Sequence, residues 1–177
     1  MVLWAGEGER KDVYPLLERL LQTEYGLPEL PELARTERGK PWFPAHPELH
    51  FNVSHSGGLL LCGAGEAPGG VDIERVRPRR ESLARHVLGE TEYAWFEARG
   101  LRWEDFYSLW TMKEARCKCT GAGLSQAPRS IAVPLLEPGQ TGALDGFSFR
   151  VYGGADWRAA ACVSAPARPP QAIRWQG

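Results

Sequence analysis

The chain has 177 residues, 43% hydrophobic and 24% charged, which suits one domain or two small halves sharing a core and excludes a disordered chain. Its formal net charge of -1 gives no overall case for a nucleic-acid partner. Residues 1–66 hold 6 Lys/Arg against 10 Asp/Glu and the remainder 15 against 12, so the second half suits an acidic or phosphate-bearing partner as well as plain solvation.

The N-terminal stretch "MVLWAGEGERK" lacks the long apolar core of a signal peptide, and no run approaches the ~20 apolar residues of a membrane span. Cys62 and Cys162 sit in apolar, strand-like runs. Cys117 and Cys119, two apart on a predicted helix, point in different directions and do not suit a shared metal. The expectation is a reduced, cytoplasmic protein with no membrane and no nucleic-acid partner.

In chain order, Val13, Leu16, Leu17, Leu20 and Leu21 describe one face of a helix over Lys11–Tyr25, with Asp12 as its cap and Pro15 in the first turn. "RGKPWF" predicts a turn. "LHFNVSHSGGLLLCGAG" alternates like a hairpin about Gly57–Gly58, and "GEAPGG" is the best boundary between two halves, 1–66 and 67–177. "GVDIERV" reads as a strand, Ser82–His86 and Glu90–Arg99 as helices, and Trp103–Cys119 as a longer helix. "SIAV", "FSFRVY" and "AAACVSA" are strand-like, and the tail "PARPPQAIRWQG" reads as loose. "FNVSHSGGLLLC" and "FRVYGGADWRAAAC" share the order strand, glycine pair, strand ending in Cys, an echo consistent with duplication or with chance.

The chemistry concentrates in two places. On a strand, Asp72 and Glu74 share one face while Val71 and Ile73 turn to the core. On the long helix, Glu114 and Lys118 lie four apart and share a face with Tyr107 and Thr111. Bringing strand and helix together would gather three carboxylates, which repel unless a cation or a proton sits among them. Oxygen-only ligands favour a hard ion, and Mg²⁺ pairs a few carboxylates with water and substrate phosphates. Lys113 and Lys118 would meet the negative charge of that substrate.

Each piece also has an ordinary structural reading. Acids at i and i+2 commonly form a solvated face, Glu114–Lys118 alone is a helix ion pair of about 0.2–0.5 kcal/mol, and His55 could cap a turn. "TGAGLS" lacks the GK[ST] ending of a phosphate-cradling loop.

Taken together, the residues resemble the 4'-phosphopantetheinyl transferases. That family's "G-[IV]-D-[IV]-E" strand is met by Gly70 to Glu74, and its "W-[ST]-x-K-E-[AS]-x-x-K" helix by Trp110 to Lys118. Its upstream "G-K-P" is met by Gly39-Lys40-Pro41 and its "F-N-[IV]-S-H-S" by Phe51 to Ser56. All four motifs in order resemble the larger, single-chain type that activates peptide and polyketide synthases. The resemblance implies an α+β fold of two similar α/β halves related by a pseudo-twofold axis, a monomer with coenzyme A in the cleft between the halves. It implies transfer of the 4'-phosphopantetheine arm to a serine of an apo acyl, polyketide or peptidyl carrier protein, releasing 3',5'-ADP.

By matching positions, Asp72, Glu74 and Glu114 would hold Mg²⁺, and Glu114 would also act as general base. Lys113 and Lys118 would bind phosphate oxygens, Lys40 and Pro41 would line the nucleotide, and Ser54 with His55 would contact the 3'-phosphate region. The chain departs from the family pattern before Asp12, where the family carries a longer basic segment. Pro15 stands close to an expected Arg, leaving Arg10 and Lys11 as substitutes. The Arg-rich segment after Glu74 suits either the acidic recognition helix of a carrier or plain solvation. Two other functions remain compatible: a non-catalytic module that binds coenzyme A or a carrier protein, and a Mg²⁺-dependent pyrophosphate hydrolase.

Overall fold

The computed structural model describes residues 1–123 and 126–176. The end of the "TGAGLS" turn, Leu124 and Ser125, lies outside the described residues.

Strand β1 (Val2–Glu7) opens the chain. It goes unnoticed in the sequence because it is buried on both sides: Leu3 and Ala5 pack into one apolar cluster and Trp4 into another, so no polar alternation marks it. A 3₁₀ turn at Arg10–Asp12 leads into α1 (Val13–Tyr25), whose buried face is the predicted Val13, Leu16, Leu17, Leu20 and Leu21. Asp12 does not cap α1. Its carboxylate accepts the Glu9 N–H at 2.8 Å and closes the 3₁₀ turn instead. Gly26 ends α1 in the left-handed conformation (φ 68°) that glycine adopts without steric cost.

β2 (Ala34–Arg35) and β3 (Pro41–Trp42) flank the predicted turn, and β4 (His50–Ser56) and β5 (Leu59–Gly65) form the predicted hairpin. β6 (Gly69–Arg75) precedes three helices, α2 (Glu81–Val87), α3 (Glu90–Ala98) and α4 (Trp103–Thr120). β7 (Thr141–Leu144), β8 (Phe147–Gly153), β9 (Trp157–Ser164) and β10 (Arg174–Trp175) complete the chain.

Two further expectations are corrected. The "SIAV" segment is not a strand: its Ile131 carbonyl and Val133 N–H are taken by Lys113 and Glu92 rather than by a ladder. The tail is not loose either. Arg174 and Trp175 pair in parallel with Trp4 and Ala5, and Trp175 lies 5.3 Å from Trp157 between ring centroids.

The fold is α+β. Two four-stranded sheets have the orders β10-β1-β5-β4 and β6-β9-β8-β7. Leu3, Ala5, Leu59 and Leu61 of the first meet Val71, Ile73, Ala159 and Ala161 of the second in one apolar layer. The outer face of the first sheet packs on α1 and that of the second on α4, giving the layer order helix, sheet, sheet, helix. Each fully buried leucine, such as Leu17 or Leu61, contributes about 1.5–3 kcal/mol of transfer free energy to this arrangement. In both sheets the first strand lies beside the second strand of a later hairpin, β1 beside β5 and β6 beside β9. α4 lies so close on β6 that a side chain at Gly70 would overlap the Ala115 carbonyl and the Cys119 nitrogen. The two edge strands β4 and β6 meet at the seam between the sheets, and the candidate site lies there.

Candidate active site

Because Val71 and Ile73 take the inter-sheet face of β6, Asp72 and Glu74 point toward α4. From α4, Lys118 Nζ donates to Asp72 Oδ1 at 2.8 Å, to Ser54 Oγ at 3.0 Å and to the Val71 carbonyl at 3.2 Å. Ser54 Oγ donates to the same Asp72 oxygen at 2.7 Å, and Ser56 Oγ donates to Glu74 Oε2. The Trp110 indole sits beside the Glu74 carboxylate. Thr111 is buried and bonds back to the Tyr107 carbonyl at 2.8 Å, so it serves the helix and not the site.

The three acids share one electrostatic pattern, led by burial. Burial pushes the Asp72 carboxyl above the usual carboxylate range, against the pull of Lys118 and Ser54. Burial also raises Glu74, with Ser56 opposing and the Asp72 charge adding. Glu114 is raised by burial and then by Asp72, with Lys118 opposing and Glu74 adding further. One ammonium among three carboxylates leaves negative charge uncompensated.

Two carboxylate oxygens, Asp72 Oδ2 and Glu114 Oε1, are buried without a hydrogen-bond partner among the described residues. Orphaned acceptors of this kind cost about 1–3 kcal/mol each, and more when charged. The donors are all oxygens, which suits a hard divalent cation. The side chains do not yet close around one: among the described residues no three acid, histidine or cysteine groups are gathered tightly enough to form a ready metal cage. Donor chemistry and orphaned oxygens therefore fit Mg²⁺, while Lys118 stands in as the positive partner of Asp72.

The remaining predicted residues divide. A hollow of about 200 Å³ beside Glu114 is lined by Arg38, Lys40 and Pro41 from the β2–β3 hairpin, by Asn52 from β4 and by Glu114 and Lys118 from α4. Lys40 Nζ donates to the Cys119 carbonyl at 2.7 Å, where an ammonium complements the C-terminal end of α4; burial lowers its pKa.

Ser54 and His55 do not act together. Strand alternation turns Ser54 inward to Asp72 and leaves His55 exposed near Arg10. Burial, then the Arg10 and Lys118 charges, lowers the His55 pKa. Lys113 is not in the site at all. It is fully buried, donating to Glu92 Oε1 at 2.8 Å, the Ile131 carbonyl at 2.6 Å and the Pro128 carbonyl at 3.1 Å. It stands five residues before Lys118 and so on another face of α4, where its role is packing against Glu92.

Sequence reasoning missed Glu92, Asn52 and Ser56. Glu92 had no visible signal, since its partner is 21 residues away on another helix. Asn52, Ser54 and Ser56 did have one: three polar residues alternating on one face of an otherwise apolar hairpin.

The family model of the 4'-phosphopantetheinyl transferase superfamily matches residues 68–162, a span that contains Asp72, Glu74, Glu114 and Lys118. This chain belongs to that superfamily. Among curated relatives, a 4'-phosphopantetheinyl transferase of Bacillus subtilis is 40% identical over 105 residues, covering 58% of this chain and 47% of the relative. The 4'-phosphopantetheinyl transferase psf-1 of Bacillus pumilus is 34% identical over 128 residues, covering 71% and 55%. The 4'-phosphopantetheinyl transferase AcpT of Salmonella typhimurium is 39% identical over 133 residues, covering 71% and 67%. The chain spans about half the length of the Bacillus subtilis relatives it matches. Within the superfamily match, the strand and helix motifs are the two elements whose contact builds the carboxylate cluster. No helix among the described residues is long and apolar enough to cross a membrane.

Proposed function

We propose that the chain transfers the 4'-phosphopantetheine arm of coenzyme A to a serine hydroxyl of an apo carrier protein, in a Mg²⁺-dependent reaction that releases 3',5'-ADP. The observation that carries this reading is the pair of orphaned carboxylate oxygens, Asp72 Oδ2 and Glu114 Oε1, gathered about Lys118, with Glu114 and Lys118 lining a hollow that Lys40, Pro41 and Asn52 complete. Asp72, Glu74 and Glu114 would hold the ion, which when bound neutralises charge on the pyrophosphate and on the departing 3',5'-ADP.

The chain's own residues do the rest. Lys118 exchanges its bond to Asp72 for a phosphate oxygen once substrate arrives. Glu114, the raised acid at the mouth of the hollow, takes the proton of the attacking serine hydroxyl as the new O–P bond forms and the pyrophosphate P–O bond breaks. Lys40 and Pro41 would line the nucleotide, and the exposed Arg10 and His55 would meet the 3'-phosphate region. On the far side of Glu74, a second hollow of about 270 Å³ is lined by Arg79, Leu83, Val87, Tyr107 and Trp110. Its mixture of arginine and apolar surface suits the acidic, amphipathic helix of a carrier.

The shared order β1-β5-β4 and β6-β9-β8 supports two halves, 1–66 and 67–177, related by a pseudo-twofold axis with the cleft between them. On this reading the chain is a cytoplasmic monomer of the larger single-chain type. Neither a membrane nor a nucleic acid enters this scheme. The test is a mass spectrum of several unrelated apo carriers after incubation with coenzyme A and Mg²⁺. A gain of the arm's mass supports transfer. Coenzyme A binding with no gain on any carrier favours the non-catalytic module, and 3',5'-ADP release without a carrier favours the hydrolase.

A further inference from the structure

The first sheet ends in β4 and the second in β6, and no main-chain ladder joins them. Side chains do so instead. Asn52 Oδ1 accepts the Val71 N–H at 2.8 Å and Ser54 Oγ accepts the Ile73 N–H at 3.4 Å, both nineteen residues apart. The same row of β4 then reaches the carboxylates, Ser54 to Asp72 and Ser56 to Glu74, both eighteen residues apart. Asn52, Ser54 and Ser56 are spaced by two, so one face of one strand supplies all four of these bonds. Two edge N–H groups of β6 are thereby satisfied without a pairing strand, and its register against β4 is fixed.

We propose that Ser56 is a positioning residue for the cation site: its hydroxyl, held on β4, takes one oxygen of Glu74 and fixes the rotamer in which that carboxylate serves as a ligand. The inference rests on the Mg²⁺ reading above. Ser56 donates its single hydroxyl proton to Glu74 Oε2 and so acts through that carboxylate. It acts across the seam, from one sheet's edge to an acid on the other's, so metal affinity depends on a group outside the superfamily match at residues 68–162. Ser54 plays the equivalent part for Asp72, with Lys118 sharing the same oxygen and leaving Oδ2 free. Hydrogen-bonded supports of this kind set ligand geometry, and their loss typically costs about 10–100-fold in metal affinity.

Ser56→Thr and Ser56→Val test this, because the two side chains have one shape and differ by the hydroxyl. Mn²⁺ binding is read by electron paramagnetic resonance on the full chain, without coenzyme A or a carrier. The Thr variant is expected to bind within about twofold of wild type and the Val variant about tenfold more weakly. In turnover, the Val variant's activity should be recovered by raising Mg²⁺, with KM for coenzyme A unchanged at saturating metal. Equal Mn²⁺ affinity in the two variants overturns the role of Ser56 while leaving the metal reading standing. Absence of Mn²⁺ binding by the wild type overturns the metal reading, and this proposal with it.

Discussion

Lys113 Nζ lies 2.7 Å from Glu92 Oε2, with neither side chain more than 7% exposed, on a face of α4 that the carboxylate cluster does not share. Glu92 also accepts the Gly89 N–H at 2.8 Å and the Val133 N–H at 3.3 Å, so this pair ties α3, α4 and the 128–133 segment together. Burial lowers the Lys113 pKa, and the Glu92 hydrogen bond holds it up.

Removing one partner strands the other. Lys113→Ala is expected to destabilise the fold by about 3–5 kcal/mol, read from denaturant midpoints, because an uncompensated carboxylate remains buried. A loss confined to KM for coenzyme A, with stability unchanged, would return Lys113 to the phosphate site.

Asp72→Asn keeps the size of the side chain but removes one charge from the cluster. Transfer to a carrier, followed by mass spectrometry, is expected to fall by ~100-fold or more, since the lost group is one aimed at developing charge. The melting midpoint should hold or rise, because the buried acid is disfavoured as an anion in the free protein. Full activity in this variant would remove Asp72 from the metal set.

Divalent cation should itself stabilise the protein. At 100 times its dissociation constant, an ion that binds only the folded state adds about 2.7 kcal/mol. Melting curves with and without Mg²⁺ are expected to separate for wild type and to coincide for Asp72→Asn. Coincidence in the wild type would count against the cation site.

Gly70→Ala tests the closeness of helix and strand. The added methyl meets main-chain atoms of Ala115 and Cys119, which cannot rotate away. The expected cost is about 1–3 kcal/mol of stability. Activity should fall as well, because pushing α4 off β6 carries Glu114 and Lys118 away from Asp72. Retained stability and activity together would mean that α4 has room to shift.

Asp105 gives the acid limb of the stability curve. Burial alone would raise its pKa, but the bonds from Arg102 at 2.8 Å and Arg99 at 3.0 Å prevail and hold it below the ordinary 3.8. A depressed folded pKa stabilises the protein above the unfolded value, and that contribution fades as pH drops through the folded one. Denaturant midpoints should therefore fall as the pH is taken below about 4, and Asp105→Asn should flatten that decline while lowering stability near neutrality.

Periodicity in the sequence determined α1, the β4–β5 hairpin, β6 and α4, since each carries its own pattern of apolar residues or glycines. It also determined that Asp72 and Glu74 share a face and that Glu114 and Lys118 share another, because those spacings follow from backbone geometry alone. β1 and β10 escaped notice for opposite reasons: the first is apolar on both faces, and the second is a two-residue strand whose partner lies at the other end of the chain. Only the tertiary structure decided which of two lysines in one motif would face the carboxylates. Lys113 and Lys118 differ by five positions on a helix, so packing α4 on β6 delivers one ammonium to Asp72 and turns the other into the core against Glu92. The seam contacts of Asn52, Ser54 and Ser56 were likewise settled by two sheet edges meeting, a relation between segments some eighteen residues apart that no local pattern encodes.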